Sequence, residues 1–171
     1  KKNEAGNFLI PLYSQNNQKT ESYNVPVQNN VRIAVSYSLA ELKPITPACI
    51  DFVTLTGLKD SVDVVRQNMM VVCEFYISSF QKEDIPDLFK RFYEPLSLPP
   101  VASVDNNRLR CCLVSLCMKI VDLDYEQYGQ TLFDALMKFD VRSPYDDLRD
   151  VCAKNISKLA KKKGVKEIPA L

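Results

Sequence analysis

Apolar residues recur at helical spacing most strongly between Asn106 and Leu123, in the run NNRLRCCLVSLCMKIVDL. One apolar set repeats every three or four residues, and a second set fills most of the remaining circumference. The first set is Leu109, Cys112, Leu113, Leu116, Ile120 and Leu123, and the second is Cys111, Val114, Cys117, Met118 and Val121. A helix that is apolar nearly all round is one that other elements surround. The pattern therefore predicts a central buried helix, with Asp105 as its N-cap.

Four further segments carry the start and stop signals of helices. They are residues 60–80, residues 84–93 before Pro95, residues 124–139 with Asp124 and Gln127 as caps, and residues 143–164. The segment 46–58 is ambiguous, because Thr46–Pro47 is typical of a helix start while the following β-branched and aromatic residues suit a strand. We interpret it as a helix on its end signals.

The N-terminal part of the chain follows other patterns. Val31–Tyr37 alternates apolar and polar positions, which predicts a short half-buried strand. Residues 1–30 lack helical periodicity, and Pro11 and Pro26 argue against a central strand. We therefore predict an extended arm that lies on a neighbouring subunit through Phe8, Leu9, Ile10, Leu12 and Tyr13. The alternatives are a segment that packs on its own helices and a frayed terminus.

Together these segments predict a mainly α fold of five or six helices around the buried helix near residues 106–123. A short β element and the extended arm precede it. We predict two parts, an N-terminal arm at 1–30 and a single helical domain at 31–171, because this length suffices for one ordinary core. The chain begins Lys1–Lys2 without an initiator methionine, which we interpret as the sign of a piece of a longer protein.

The composition is that of a globular protein, with 46% hydrophobic and 25% charged residues. No apolar run approaches the roughly 18 residues that span a bilayer, so we expect no membrane partner. The six cysteines lie mostly in apolar contexts, as buried free thiols do, and three of them crowd into one helix where mutual pairing is geometrically poor. They predict a reducing, cytoplasmic environment.

The absence of histidine narrows the possible chemistry. It removes Cys–His and Ser–His–Asp nucleophiles and the usual zinc and non-haem iron ligand sets. No Cys-x-x-Cys occurs, and four glycines do not form a phosphate-binding loop. Asp122 and Asp124 form an Asp-x-Asp of the kind that holds Mg²⁺, but carboxylates at a helix junction are more often caps. We therefore expect no enzyme, no cofactor and no metal site; a carboxylate-based, Mg²⁺-dependent enzyme is the weakest alternative.

Basic residues concentrate near the C-terminus, although the net charge is only +1. Residues 141–171 carry eight Lys or Arg and four Asp or Glu. The candidate phosphate-binding residues are Lys154, Lys158, Lys161, Lys162, Lys163 and Lys166, joined by Arg108 and Arg110 if the fold brings these arginines close. Lysines without interleaved arginine or aromatic residues favour non-specific polyanion binding. The competing interpretation is a solvated helix end with favourable cations.

These features predict a non-enzymatic structural protein that self-associates through its arm and binds single-stranded RNA, without sequence preference, through its basic C-terminal helix. An arm, a helical core and a basic tail together resemble the layout of viral coat and nucleocapsid proteins, a resemblance of architecture that no motif carries. The alternative is a cytoplasmic adaptor domain that binds protein partners only.

Overall fold

Helices account for all regular structure in the residues that the computed structural model describes, which are 4–16, 25–42 and 45–162. The chain divides into two compact units, Lys1–Ser79 and Phe80–Leu171. The first contains α1 (Glu4–Asn16), α2 (Val25–Glu41), α3 (Pro47–Leu55) and α4 (Asp63–Ser78). The second contains α5 (Ile85–Tyr93), α6 (Val104–Leu123), α7 (Tyr125–Ala135) and α8 (Asp146–Lys162). The predicted arm–domain boundary at residue 30 falls inside α2, and the domain assignment itself stays a prediction.

The predicted mainly α class is confirmed, and α6 has the central position within the second unit. It packs against α5, α7 and α8. Its N-cap is Ser103 instead of the predicted Asp105, since the Ser103 hydroxyl accepts from the Asn106 N–H at 3.1 Å. Asp124 caps α7 as predicted, through its bond from the Gln127 N–H at 3.2 Å. The helix interpretation of segment 46–58 is also correct, because α3 lies there with Thr46 as its N-cap.

The predicted strand at Val31–Tyr37 is wrong, because these residues lie inside α2. The buried positions of α2 follow helical spacing and are Arg32, Val35, Ser36, Leu39 and Ala40. Two of these five are polar, so the core face of the helix does not appear as an apolar stripe. The apparent alternation included Tyr37, whose side chain is exposed in the structure.

The extended N-terminal arm is also contradicted, because residues 4–16 form α1 and pack on α2. Pro11 lies inside this helix, where it removes one backbone hydrogen bond without ending the helix. Tyr13 is fully buried, its hydroxyl donates to the Asp60 carboxylate, and its ring meets Phe52 edge-on at 5.1 Å. Phe8 is 68% exposed, and Leu9, Ile10 and Leu12 are half-buried. Residues 17–24 of the predicted arm lie outside the described part of the chain.

A buried ion pair joins three helices of the first unit. Arg32 of α2 donates to Asp60 through Nε at 2.8 Å and through Nη2 at 3.3 Å. The same guanidinium donates to the Asn16 carbonyl at the end of α1 at 2.8 Å. Asp60 also accepts from the Val62 N–H at 2.8 Å, directly before α4. Asp60 is therefore a buried residue in the connection before α4. The helix α4 begins at Asp63, three residues after the predicted start at residue 60.

A second buried ion pair fixes the other unit. Arg110 of α6 donates to Asp140 through Nε at 2.6 Å and through Nη2 at 3.0 Å. Its remaining N–H groups donate to the carbonyls of Pro95, Leu96 and Leu98 at 2.7–3.1 Å. All five guanidinium donors are thus satisfied in the core. Asp140 ends the π-helical turn Leu136–Asp140, which continues α7 and places this carboxylate beside α6.

The two units share an order of elements that the sequence does not reveal as a repeat. In each, a long helix carries the buried arginine, a shorter helix follows, and a buried aspartate precedes the last long helix. In both units, an arginine of that last helix makes the same pair of contacts. Arg66 pairs with Asp63 and donates to the Asp60 carbonyl, three and six residues earlier. Arg149 makes the equivalent bonds to Asp146 and to the Ser143 carbonyl.

We expect Tyr13→Ala to destabilise the protein by about 3–5 kcal/mol, the range for losing a buried aromatic side chain. The matched control is Phe8→Ala on the same helix, which should change stability by less than about 0.5 kcal/mol because Phe8 is exposed. Chemical denaturation measures both, and light scattering should give the same mass for wild type and variants. A loss of oligomer mass without loss of stability in Tyr13→Ala would restore the inter-chain arm.

We expect Asp140→Ala to destabilise the protein by about 3–5 kcal/mol, because it leaves the buried Arg110 charge without its carboxylate. The control is Asp105→Ala, which breaks an exposed arginine–aspartate pair of the same helix and should cost under about 1 kcal/mol. Denaturant unfolding measures the two free energies. Equal losses in both variants would show that the buried pair has no special role in stability.

Candidate nucleic-acid interface

The C-terminal half of α8 presents a row of lysines on one side. Lys154, Lys158 and Lys161 are exposed and are spaced four and three residues apart, so they lie within an arc of about 60° around the helix. The buried side of α8 is roughly opposite and consists of Leu148, Cys152, Ile156 and Leu159. Among the described residues, none of the three lysines has an ion-pair or hydrogen-bond partner. We call these three residues the lysine row.

Lys162 is exposed but has a different role from the lysine row. Its Nζ lies 2.6 Å from the Asp122 carboxylate and 5.9 Å from the centre of the Tyr125 ring. The Tyr125 hydroxyl in turn donates to the Leu159 carbonyl at 3.2 Å. Gly129 makes room for this ring, because a Cβ there would lie 2.5 Å from Tyr125 Cε2. These contacts attach the end of α8 to the junction of α6 and α7.

Neither of the two predicted phosphate-binding arginines joins the lysine row. Arg110 is buried in its ion pair, which contradicts a surface role for it. Arg108 pairs with Asp105 at 3.2 Å on the first turn of α6. It precedes Asp122, the partner of Lys162, by fourteen residues, which is about 21 Å along the helix. Lys163 and Lys166 lie outside the described part of the chain, as does the predicted end of α8 at residue 164.

Charge is segregated along α8. Asp147 and Asp150 are exposed on the same side as the lysine row, two turns and one turn before Lys154. Acidic residues near the start of a helix and basic residues near its end both complement the helix dipole. The positive surface is therefore limited to the second half of α8, where the lysine row extends over about 10 Å.

The carboxylates and thiols that invited catalytic or metal-binding hypotheses have structural roles in the described residues. Asp122 binds Lys162, and Asp124 caps α7, so the two carboxylates of the Asp-x-Asp pair have separate structural contacts. Cys117 and Cys152 are fully buried, and burial raises the pKa of both thiols, that of Cys152 to about 12. Within residues 4–16, 25–42 and 45–162, no three metal-ligating side chains come together.

Two residue sets were missed by sequence reasoning. The buried aspartates Asp60 and Asp140 lie 28 and 30 residues from their arginines, a separation that carries no local signal. An arginine inside an otherwise apolar helix, as at Arg110, is the one signal that predicts such a pair. The contacts of Tyr125 were missed because they depend on where α8 ends relative to α7.

The chain matches no protein-family model, and neither a curated protein nor a solved structure is significantly similar to it. None of the helices in the described residues is at once long and apolar enough to cross a membrane.

We expect Cys117 and Cys152 to resist alkylation in the folded protein at neutral pH, because the thiolate is the reactive form and burial suppresses it. The half-buried Cys111 and Cys112 should react first. Iodoacetamide labelling followed by peptide mass spectrometry measures the order, with urea-unfolded protein as the control in which all six cysteines react. Equal labelling rates for Cys117 in folded and unfolded protein would contradict its burial.

Proposed function

We propose that this chain is a non-enzymatic RNA-binding protein whose lysine row binds the phosphates of single-stranded RNA without sequence preference. The observation that supports this proposal is the row of three exposed lysines without carboxylate partners in the described residues. Lys163 and Lys166 lie further along the sequence and add to the positive charge of this part of the chain. Lysine neutralises phosphate as a point charge and reads no base edge, so sequence preference is not expected.

Self-association through an extended arm is not part of this proposal. The side chain that would anchor such an arm, Tyr13, is used inside the first unit. The extended arm was one of the three features that resemble a coat or nucleocapsid layout, together with the helical core and the basic tail. That feature is therefore left out here. The part that remains is polyanion binding by a helical protein, and the competing function is an adaptor that binds protein only.

The lysine row is favoured over a merely solvated helix end by its arrangement. Asp150 lies four residues before Lys154, the spacing that favours an ion pair on a helix, yet no such pair forms between them. The positive charges are therefore left to interact with an external anion. By contrast, Lys162 on the same helix pairs with the carboxylate of Asp122, as a lysine with a structural role does.

We expect the full chain to bind a labelled single-stranded RNA in fluorescence anisotropy, with an affinity that depends on salt. Three neutralised phosphates predict a slope of about −2 in log K against log salt, or about a twentyfold loss between 50 and 200 mM. The variant Lys154→Glu/Lys158→Glu/Lys161→Glu should abolish binding and leave the melting temperature nearly unchanged, because exposed charges contribute little to folding.

The matched control is Lys82→Glu/Lys90→Glu/Lys138→Glu, which makes the same charge change at exposed lysines outside α8. This control should keep most of the affinity. The variant Asp150→Lys lengthens the row by one turn and should raise the affinity and steepen the salt slope by about 0.7. The proposal fails if wild-type protein is not retained at low salt, or if both triple variants lose affinity equally, since the net charge alone would then explain binding.

A further inference from the structure

The tertiary fold places one aromatic ring beside the lysine row. Tyr125, at the start of α7, lies 34 residues before Leu159 in the chain, yet its hydroxyl donates to the Leu159 carbonyl at 3.2 Å. Leu159 lies between Lys158 and Lys161 on α8. The aromatic residue that is missing between the lysines of the sequence is therefore supplied by another helix.

The ring lies on the side of α8 that adjoins the lysine row. Lys162, whose Nζ is 5.9 Å from the centre of the Tyr125 ring, follows Lys158 by four residues. At 3.6 residues per turn, these two lysines lie about 40° apart around α8. A strand whose phosphates follow the lysine row towards the end of α8 therefore comes close to the ring.

One face of the Tyr125 ring is covered by its own helix. The ring lies over Gly129, one turn later in α7, where a Cβ atom would be only 2.5 Å from Cε2. The side chain therefore lies along α7, and the opposite face of the ring is directed away from that helix. Among the described residues, no other aromatic ring packs against Tyr125.

The charges near the ring favour an uncharged ligand there. The Lys162 ammonium is close to the outer limit of about 6 Å for a cation–π contact, and it is already paired with the Asp122 carboxylate at 2.6 Å. Glu126 follows Tyr125 and is exposed. These two carboxylates disfavour a phosphate at the ring, but they do not disfavour a nucleobase, which is uncharged.

We propose that Tyr125 is a stacking platform for one unpaired base of the RNA whose phosphates bind the lysine row. The role of Tyr125 depends on the proposed function and extends it to the part of the nucleotide that the lysines do not contact. Proteins that bind single strands without sequence preference combine a positive track for the backbone with aromatic rings for the bases. Because every base has a flat face, such stacking tolerates any sequence. It favours single strands over duplexes, in which the bases are already stacked on one another.

The test compares two ligands on the unchanged full chain. The probe is a labelled oligouridine, and the control is an abasic oligoribonucleotide of the same length, which has the same phosphates and no bases. In fluorescence anisotropy, the oligouridine should bind at least about fivefold more tightly, the lower end of the effect of one stacked base. Both ligands should show the same salt slope, because they carry equal numbers of phosphates.

Two variants then assign the effect to the ring. Tyr125→Leu removes the ring, and Tyr125→Phe is its matched control, since both variants lose the hydroxyl that donates to Leu159. The leucine variant should bind oligouridine at least about fivefold more weakly than wild type, with an unchanged salt slope. It should bind the abasic ligand as wild type does. The phenylalanine variant should bind oligouridine nearly as tightly as wild type.

Three outcomes contradict the role of Tyr125, and they differ from one another. Equal affinity of wild-type protein for the two ligands overturns the stacking platform and leaves the lysine row as a site for phosphate alone. An equal loss in Tyr125→Leu and Tyr125→Phe also overturns it, because the hydroxyl bond to α8 would then explain the effect. If wild-type protein binds neither ligand at low salt, the proposed function fails together with the platform.

Discussion

The Arg110 guanidinium donates five hydrogen bonds in the core of the second unit, and they fasten α6 to the segment before it and to the end of the π-helical turn. Two bonds hold Asp140 at the end of the π-helical turn, and three hold the carbonyls between α5 and α6. A buried charge of this kind is tolerated only with its full set of partners. The start of α8 at Asp146 follows Asp140 by six residues, so this ion pair holds the chain close to where α8 begins. The Arg32–Asp60 pair has the corresponding place in the first unit.

Helix α8 is held at both of its ends. Its start lies beside the loop and first turn of α6, and this contact forms a small cavity at Asn107. Its end is attached through Tyr125 and Lys162, and helical spacing places the lysine row roughly opposite the buried side. Along the helix, the lysine row begins about 9 Å and ends about 20 Å after Leu148, which lines the cavity.

The recurrence of one arrangement in both units gives the chain an internal regularity at the level of structure. The ion pairs span 28 and 30 residues, and Arg66 and Arg149 make matching bonds three and six residues back along the chain. The shared feature is a connection in which a buried aspartate precedes the last helix, and the differences lie in what surrounds it. The first unit adds Tyr13 to its aspartate, whereas the second adds three backbone carbonyls to its arginine.

The sequence by itself determined the helical class, the central helix α6 and the caps at Thr46 and Asp124, because these depend on spacing and side-chain chemistry within a few residues. It also determined that the lysine row lies on one side of the last helix. Only the tertiary structure decided that residues 31–37 are helical, that Tyr13 is buried in its own unit and that Arg110 is a core residue. Each of these depends on a polar partner that lies about 30 or more residues away in the chain. A buried polar group has the same appearance in a sequence as an exposed one, and only the partner that the fold supplies makes its burial favourable.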